Sequence, residues 1–154
     1  MSETKQFTIE LEQLQGYVFK VSFDLGGVDD LLVDEPAPLG QGRGPNPSRL
    51  IAAAAANCLS ASLLYCVSKN APPAGSISAT ADCVLKRNAK GRLRIGRIAV
   101  RLKVAGELEQ AVRMKRCLDL FEDFCVVTDS IRKGIPIGIE VKDHTGEVIH
   151  RNDD

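Results

Sequence analysis

Apolar and polar residues alternate through the first part of the chain, which predicts an antiparallel β-meander. Residues 6–13 follow the two-residue period of a half-buried strand. A turn at Gly16 separates them from residues 17–23, where the same alternation returns. Residues 30–34 then predict a short third strand.

The most apolar stretch, residues 46–69, predicts one long helix. Asn46 is suited to cap it, and Pro47 is suited to the first helical position, where a missing N–H has no consequence. Between Leu50 and Val67 apolar residues occur on every side, which is typical of a helix surrounded by protein. At ~1.5 Å per residue such a helix spans roughly 34 Å, so we expect a second copy of the chain to help cover it.

The long helix resembles a core helix more than a membrane span, since alanine predominates and weakly drives insertion, whereas it favours close helix packing. The loop before it, residues 35–47, is rich in glycine and proline. Its glycine spacing does not follow the GxGxxG nucleotide fingerprint, so we expect no nucleotide cofactor.

The second half of the chain predicts a hairpin, a helix and closing strands. The segments, in order, are strands over residues 77–85 and 93–104, an amphipathic helix over 107–124, a helical turn over 129–133, a strand over 137–141 and a last strand or tail over 147–150. Together the segments predict an α+β fold in a single domain, residues 1–154, with antiparallel sheets wrapped around a buried central helix.

The charge balance and the N-terminal residues exclude some partners and indicate a location. The chain has 20 basic and 20 acidic residues, so no overall field favours nucleic acid or an anionic membrane as a partner. The N-terminal residues do not follow the pattern of a secretory signal. We therefore expect a cytoplasmic protein.

The cysteines are the first indication of chemistry. The chain has five, which form no CxxC pair and no cluster with either histidine, so no metal site is expected: Cys58, Cys66, Cys83, Cys117 and Cys125. An odd number in a chain without an export signal predicts reduced thiols, one or two of them reactive. Cys83 and Cys117 fall among apolar positions and are expected to be core residues. His144 and His150 are not placed to act as general bases.

Two segments resemble the OsmC/Ohr family of thiol peroxidases. The first is GPNPSRLIAAAAANC, residues 44–58, which is similar to the family's proline-opened helix with a peroxidatic cysteine. The second is FCVVTDSIRKGIPIGIEV, residues 124–141, which is similar to the segment of the family's second cysteine. With the order of predicted elements, the resemblance covers nearly the whole chain.

The resemblance implies an intertwined homodimer whose sites lie at the subunit interface. It also implies that the Cys58 thiolate attacks a hydroperoxide, either organic or hydrogen peroxide, and becomes a sulfenic acid. Cys125 then forms a disulfide with Cys58, which an external dithiol reduces. No cofactor is implied.

The chain departs from the family pattern in the groups that activate the cysteine. Ser48 stands where the peroxidases carry a glutamate, and residues 1–42 contain no arginine. A thiol three turns into a helix needs another group to lower its pKa. The nearest candidates are two arginines with an orienting carboxylate, Arg43, Arg49 and Glu35, with Lys20 a weaker alternative.

Three hypotheses remain at this point. The first is a thiol peroxidase that uses Cys58 and Cys125. The second is a non-catalytic dimer of the same fold that binds a small ligand or senses oxidation. The third is an unrelated α+β domain in which all the cysteines are core residues.

Overall fold

The computed structural model describes residues 3–69 and 71–153, so residues 1, 2, 70 and 154 of the predicted domain lie outside the described part. Strands and helices follow in the order β1 (Ile9–Gln15), β2 (Val18–Phe23), β3 (Leu31–Val33), α1 (Pro47–Ser68), β4 (Ile77–Arg87), β5 (Leu93–Val104), α2 (Gly106–Glu109), α3 (Met114–Leu120), a 3-10 helix (Phe121–Phe124), α4 (Val126–Lys133), β6 (Ile139–Lys142) and β7 (Val148–Asn152). The sheets pair as β1-β2-β3, β4-β5 and β6-β7. The predicted α+β class is confirmed.

The contacts within the chain separate it into two compact units. The described residues of unit 1 are 3–54 and 81–100, and those of unit 2 are 55–69, 71–80 and 101–153. Helix α1 and strands β4 and β5 contribute residues to both units. The single domain stays a prediction.

The predicted meander forms the sheet of unit 1. Strand β1 pairs antiparallel with β2, with Ile9 opposite Phe23, and β2 pairs antiparallel with β3, with Phe19 opposite Val33. The β1–β2 turn requires Gly16, whose φ of 57° is a conformation that favours glycine. The alternation in the sequence thus predicts these three strands, with shifts of a few residues at their ends.

Asp34 organises the loop that follows the meander. Its side chain is buried and accepts three backbone N–H groups, from Glu35 at 2.8 Å and from Gln41 and Arg43 at 3.1 Å each. The Arg43 N–H bond is the main cause that lowers the pKa of Asp34, against the effect of burial. The proline- and glycine-rich loop is therefore held by one carboxylate in front of α1.

Helix α1 begins as the sequence predicts. The Asn46 side chain accepts the Arg49 N–H at 3.2 Å, and Pro47 is the first helical residue. Within one chain, however, only 28% of the helix's most apolar 18-residue window is buried. The prediction of a helix surrounded by protein is therefore not met by a single chain.

By length and composition alone, α1 could cross a membrane, with a mean hydropathy of 1.8 in its most apolar window. A core helix of a soluble protein meets the same criteria, so this property is weak evidence for a membrane span. The same apolar surface is what a helix needs for packing against other protein.

The core of unit 2 lies where the second half of α1 meets the α2–α3 region. The fully buried or nearly buried residues are Leu63, Val67, Leu108, Met114 and Cys117. Leu102 and Phe121 are partly buried against them.

The single helix predicted over residues 107–124 is wrong. The segment contains α2, a turn, α3 and the 3-10 helix instead. In a continuous helix, Leu108 and Met114 would point about 120° apart, because each residue turns the helix by about 100°. The break at residues 110–113 lets both side chains enter one core, and it leaves Val112 fully exposed.

Candidate active site

The two cysteines of the predicted pair lie close together in unit 2. Cys58 lies on α1 and is half-buried, whereas Cys125 is completely buried at the N-cap position of α4. Both are free thiols, and they are hydrogen-bonded to each other. Two residues far apart in the sequence therefore form one dithiol site.

The helix that follows Cys125 begins earlier than the sequence predicts. Helix α4 starts at Val126 rather than at residue 129, and the Asp129 N–H donates to the Cys125 carbonyl at 3.1 Å. The first N–H groups of a helix lack partners within the helix. The N–H groups of Val126, Val127 and Thr128 are therefore available as hydrogen-bond donors to the cysteine sulfurs.

Cys125 is the more acidic member of the pair. Burial raises the pKa of its thiol, but the nearby Thr128 hydroxyl, the Cys58 thiol and the N–H groups of Thr128 and Val127 stabilise the thiolate, outweigh burial and lower the pKa. These donors and the start of α4 therefore stabilise the Cys125 thiolate.

Thr128 takes part through a buried hydroxyl. Its Oγ1 has no hydrogen-bond partner of good geometry among the described residues. Ionisation of Cys125 supplies the acceptor that this hydroxyl lacks, so the unpartnered group favours the thiolate.

Cys58 shows the opposite shift. Burial is the main cause that raises the pKa of its thiol, and the hydrogen bond and charge of Cys125 add to it. The N–H groups of Val127 and Val126 oppose the shift without reversing it. The surroundings therefore favour ionisation of Cys125 over ionisation of Cys58.

The other candidate site residues lie in unit 1 and have partners there. The Arg49 guanidinium donates to the Asn46 side chain at 3.0 Å, and the backbone N–H groups of Arg43 and Glu35 donate to Asp34. Ser48 is half-buried near the start of α1. The activating role of Arg43, Arg49 and Glu35 stays a prediction.

The prediction of reduced thiols is wrong for two of the five cysteines. Cys66 and Cys117 form a disulfide with a Cα–Cα distance of 5.6 Å. Cys117 is 1% exposed, which confirms its expected core position. Cys83 is a free, half-buried thiol on β4.

Potential metal ligands do not cluster in residues 3–69 and 71–153, where no group of three or more His, Cys, Asp or Glu side chains could hold an ion. The chemistry available at the site is therefore that of the two thiols, the Thr128 hydroxyl and the backbone N–H groups of α4.

Comparison with known proteins decides the family. The sequence profile described as OsmC-like protein matches residues 40–140, well over half of the chain. The chain belongs to the OsmC-like protein family. The matched range contains both Cys58 and Cys125, and the resemblance drawn from the two sequence segments is confirmed. No curated protein matches the chain.

Solved structures share the OsmC-like fold at low sequence identity. An OsmC-like protein of unknown function from Vibrio cholerae is 17% identical, with a TM-score of 0.66 over 82% of this chain and 94% of that one. The organic hydroperoxide resistance protein OsmC from Legionella pneumophila is 20% identical, with a TM-score of 0.60 over 84% and 92%. A putative organic hydroperoxide resistance protein from Vibrio cholerae, with captopril in one active site, is 20% identical, with a TM-score of 0.62 over 97% and 99%. At these identities the likeness establishes the fold alone.

Proposed function

We propose that this OsmC-like protein is a thiol-dependent peroxidase that reduces hydroperoxides, organic or hydrogen peroxide, with Cys58 and Cys125. The observation that carries the proposal is the hydrogen-bonded pair of free thiols, one made more acidic and the other less acidic by its surroundings. Membership of the OsmC-like family and the fold shared with organic hydroperoxide resistance proteins support it.

The pair supplies an activating group for Cys58 that does not depend on arginine. The Cys125 thiolate accepts the Cys58 proton while the Cys58 sulfur attacks the O–O bond of the hydroperoxide. The O–O bond breaks, the alkoxide takes the proton from Cys125 and leaves as alcohol, and Cys58 becomes a sulfenic acid. Proton transfer in a preformed hydrogen bond is the usual basis of such general-base catalysis.

The first step leaves Cys125 ready for the second one. As a thiolate it attacks the sulfur of the Cys58 sulfenic acid, forms the S–S bond and releases hydroxide. Altogether one hydroperoxide gains two electrons and the two thiols lose them. An external dithiol then reduces the Cys58–Cys125 disulfide, and no cofactor takes part. The need for a dithiol supply favours the cytoplasm as the location.

The proposed assembly is an intertwined homodimer. Helix α1 keeps large apolar side chains accessible in the single chain, such as Ile51 at 41% exposure. A second copy would remove such surface from water, at roughly 25 cal/mol for each Å². Analytical ultracentrifugation at micromolar concentration tests the assembly, and a monomer would contradict it.

The activity is tested by hydroperoxide consumption in the presence of a dithiol. We expect wild-type protein to consume an organic hydroperoxide and Cys58→Ser to lose that activity. Cys83→Ser is the matched control, because it removes a free, half-buried thiol outside the pair and should remain active. A folded wild-type protein no faster than Cys58→Ser would refute the peroxidase and favour the non-catalytic alternative.

A further inference from the structure

A second sulfur site lies outside the Cys58–Cys125 pair. The Cys66–Cys117 disulfide forms part of the wall of a cavity of about 190 Å³ within unit 2. Tyr65 and Phe124 contribute aromatic walls, and both are largely exposed at 64% and 60%. The disulfide is therefore at the surface of an open, mainly apolar cavity rather than sealed in the core.

The two sulfurs of this disulfide are not equally accessible. Cys117 is 1% exposed and belongs to the core cluster, whereas Cys66 is only partly buried. Thiol–disulfide exchange requires a thiolate to reach one sulfur along the S–S axis. Cys66 is thus the residue attacked, and Cys117 is the residue whose thiolate leaves.

The cavity is positively charged. Lys69, Arg113 and Arg116 line it, and no aspartate or glutamate does so in the described part of the chain. None of the three cations has an ion-pair partner among residues 3–69 and 71–153. Unpaired cations beside an apolar wall attract a small anion and stabilise a leaving thiolate.

We propose that Cys66–Cys117 is a second redox site of this protein, reduced by a small anionic thiol that binds in the cationic cavity. The thiolate of the small molecule attacks Cys66, the S–S bond breaks, and Cys117 leaves as a thiolate that takes up a proton. A second thiolate attacks the sulfur of the bound small molecule and releases Cys66. One disulfide and two small thiols thus become two cysteines and one small disulfide.

The proposed second redox site does not depend on the proposed peroxidase function. Reduction removes the covalent link between the end of α1 and α3, the helix that precedes the Cys125 segment. In a reducing compartment, disulfides that do form are usually transient or redox-sensing ones, and a cavity that admits the reductant fits that class.

The test compares thiols of different charge on a Cys58→Ser/Cys125→Ser variant, in which the proposed peroxidase pair is absent. Mercaptoethanesulfonate, 2-mercaptoethanol and cysteamine serve as anionic, neutral and cationic reductants, and each rate is divided by the thiolate fraction. Alkylation followed by peptide mass spectrometry reports the rate at which Cys66 and Cys117 become thiols. Should the variant fail to fold, the same two peptides are followed in wild-type protein.

We expect the anionic thiol to react about tenfold faster than the neutral one at low salt, and the cationic thiol to be slowest. The preference should disappear in 1 M salt and in Arg113→Gln/Arg116→Gln. Lys115→Gln is the matched control, because Lys115 lies on the same helix but does not line the cavity. Equal rates for the three thiols, or an equal loss in the control, would overturn the proposal, whatever the peroxidase assay shows.

Discussion

Removing the Cys66–Cys117 disulfide should weaken the fold by a predictable amount. The two cysteines are 51 residues apart in the sequence, and a cross-link of that span lowers the entropy of the unfolded chain. The loop-entropy relation gives about 4 kcal/mol at 25 °C for a closed loop of this length. For a chain of this size, such a loss lowers Tm by about 8–16 °C.

The assay is urea unfolding of Cys66→Ala/Cys117→Ala and wild-type protein, each with and without a strong dithiol at one fixed protein concentration. Reductant should lower the stability of wild-type protein by about 4 kcal/mol and leave the double variant unchanged. The double variant should lie slightly below reduced wild type, since truncation of the buried Cys117 also removes packing. Cys83→Ala, which removes a free thiol, is the control and should still respond to reductant.

Two results would refute this reasoning. One is wild-type protein whose stability does not change although mass spectrometry shows Cys66 and Cys117 fully reduced. The other is a double variant as stable as oxidised wild type. Either would mean that the cross-link does not constrain the unfolded chain.

Three further predictions concern Cys58, Asp34 and Gly44. In Cys125→Ser the pKa of Cys58 should fall, because Cys125, which raises it, is gone. The rate of Cys58 alkylation as a function of pH measures this pKa, and an unchanged or higher midpoint would contradict the prediction. The pKa of Asp34 is lower in the folded protein than in the unfolded chain. The stability that its carboxylate contributes is therefore fully present above the unfolded pKa of about 3.9 and is lost as the pH falls through the folded pKa. Urea midpoints below pH 5 should therefore fall more steeply for wild type than for Asp34→Asn, and parallel curves would argue against this. Gly44→Ala should destabilise the folded protein by roughly 3 kcal/mol, because the added Cβ would overlap the main chain of β3. Gly26→Ala is the control and should have little effect, because its Cβ would meet no atom. Thermal unfolding of the two variants compares them, and equal midpoints would contradict the overlap.

Elements that depend on local periodicity were predictable from the sequence. The meander, α1 and the second hairpin follow from alternation, from Asn46 and Pro47, and from turn residues. The break between α2 and α3 was not predictable in this way. Residues 107–124 carry an acceptable helical period, but the shared core of Leu108 and Met114 is a tertiary requirement that overrides it.

The candidate site was likewise predictable from the sequence only in part. Cys58 and Cys125 were found through their resemblance to two family segments, and the structure brings them together. Thr128 was missed because helix α4 was expected to start three residues too late. The Cys66–Cys117 bond could not be deduced, since sequence spacing does not determine which cysteines pair.

The most direct test of the peroxidase account is peptide mass spectrometry of the protein before and after one equivalent of an organic hydroperoxide. We predict that a Cys58–Cys125 disulfide forms at the expense of the two free thiols, and that Cys125→Ser instead accumulates a trappable sulfenic acid on Cys58. The Cys66–Cys117 disulfide should be present in both samples and serves as the internal control. Hydroperoxide that leaves Cys58 and Cys125 as free thiols would contradict the account.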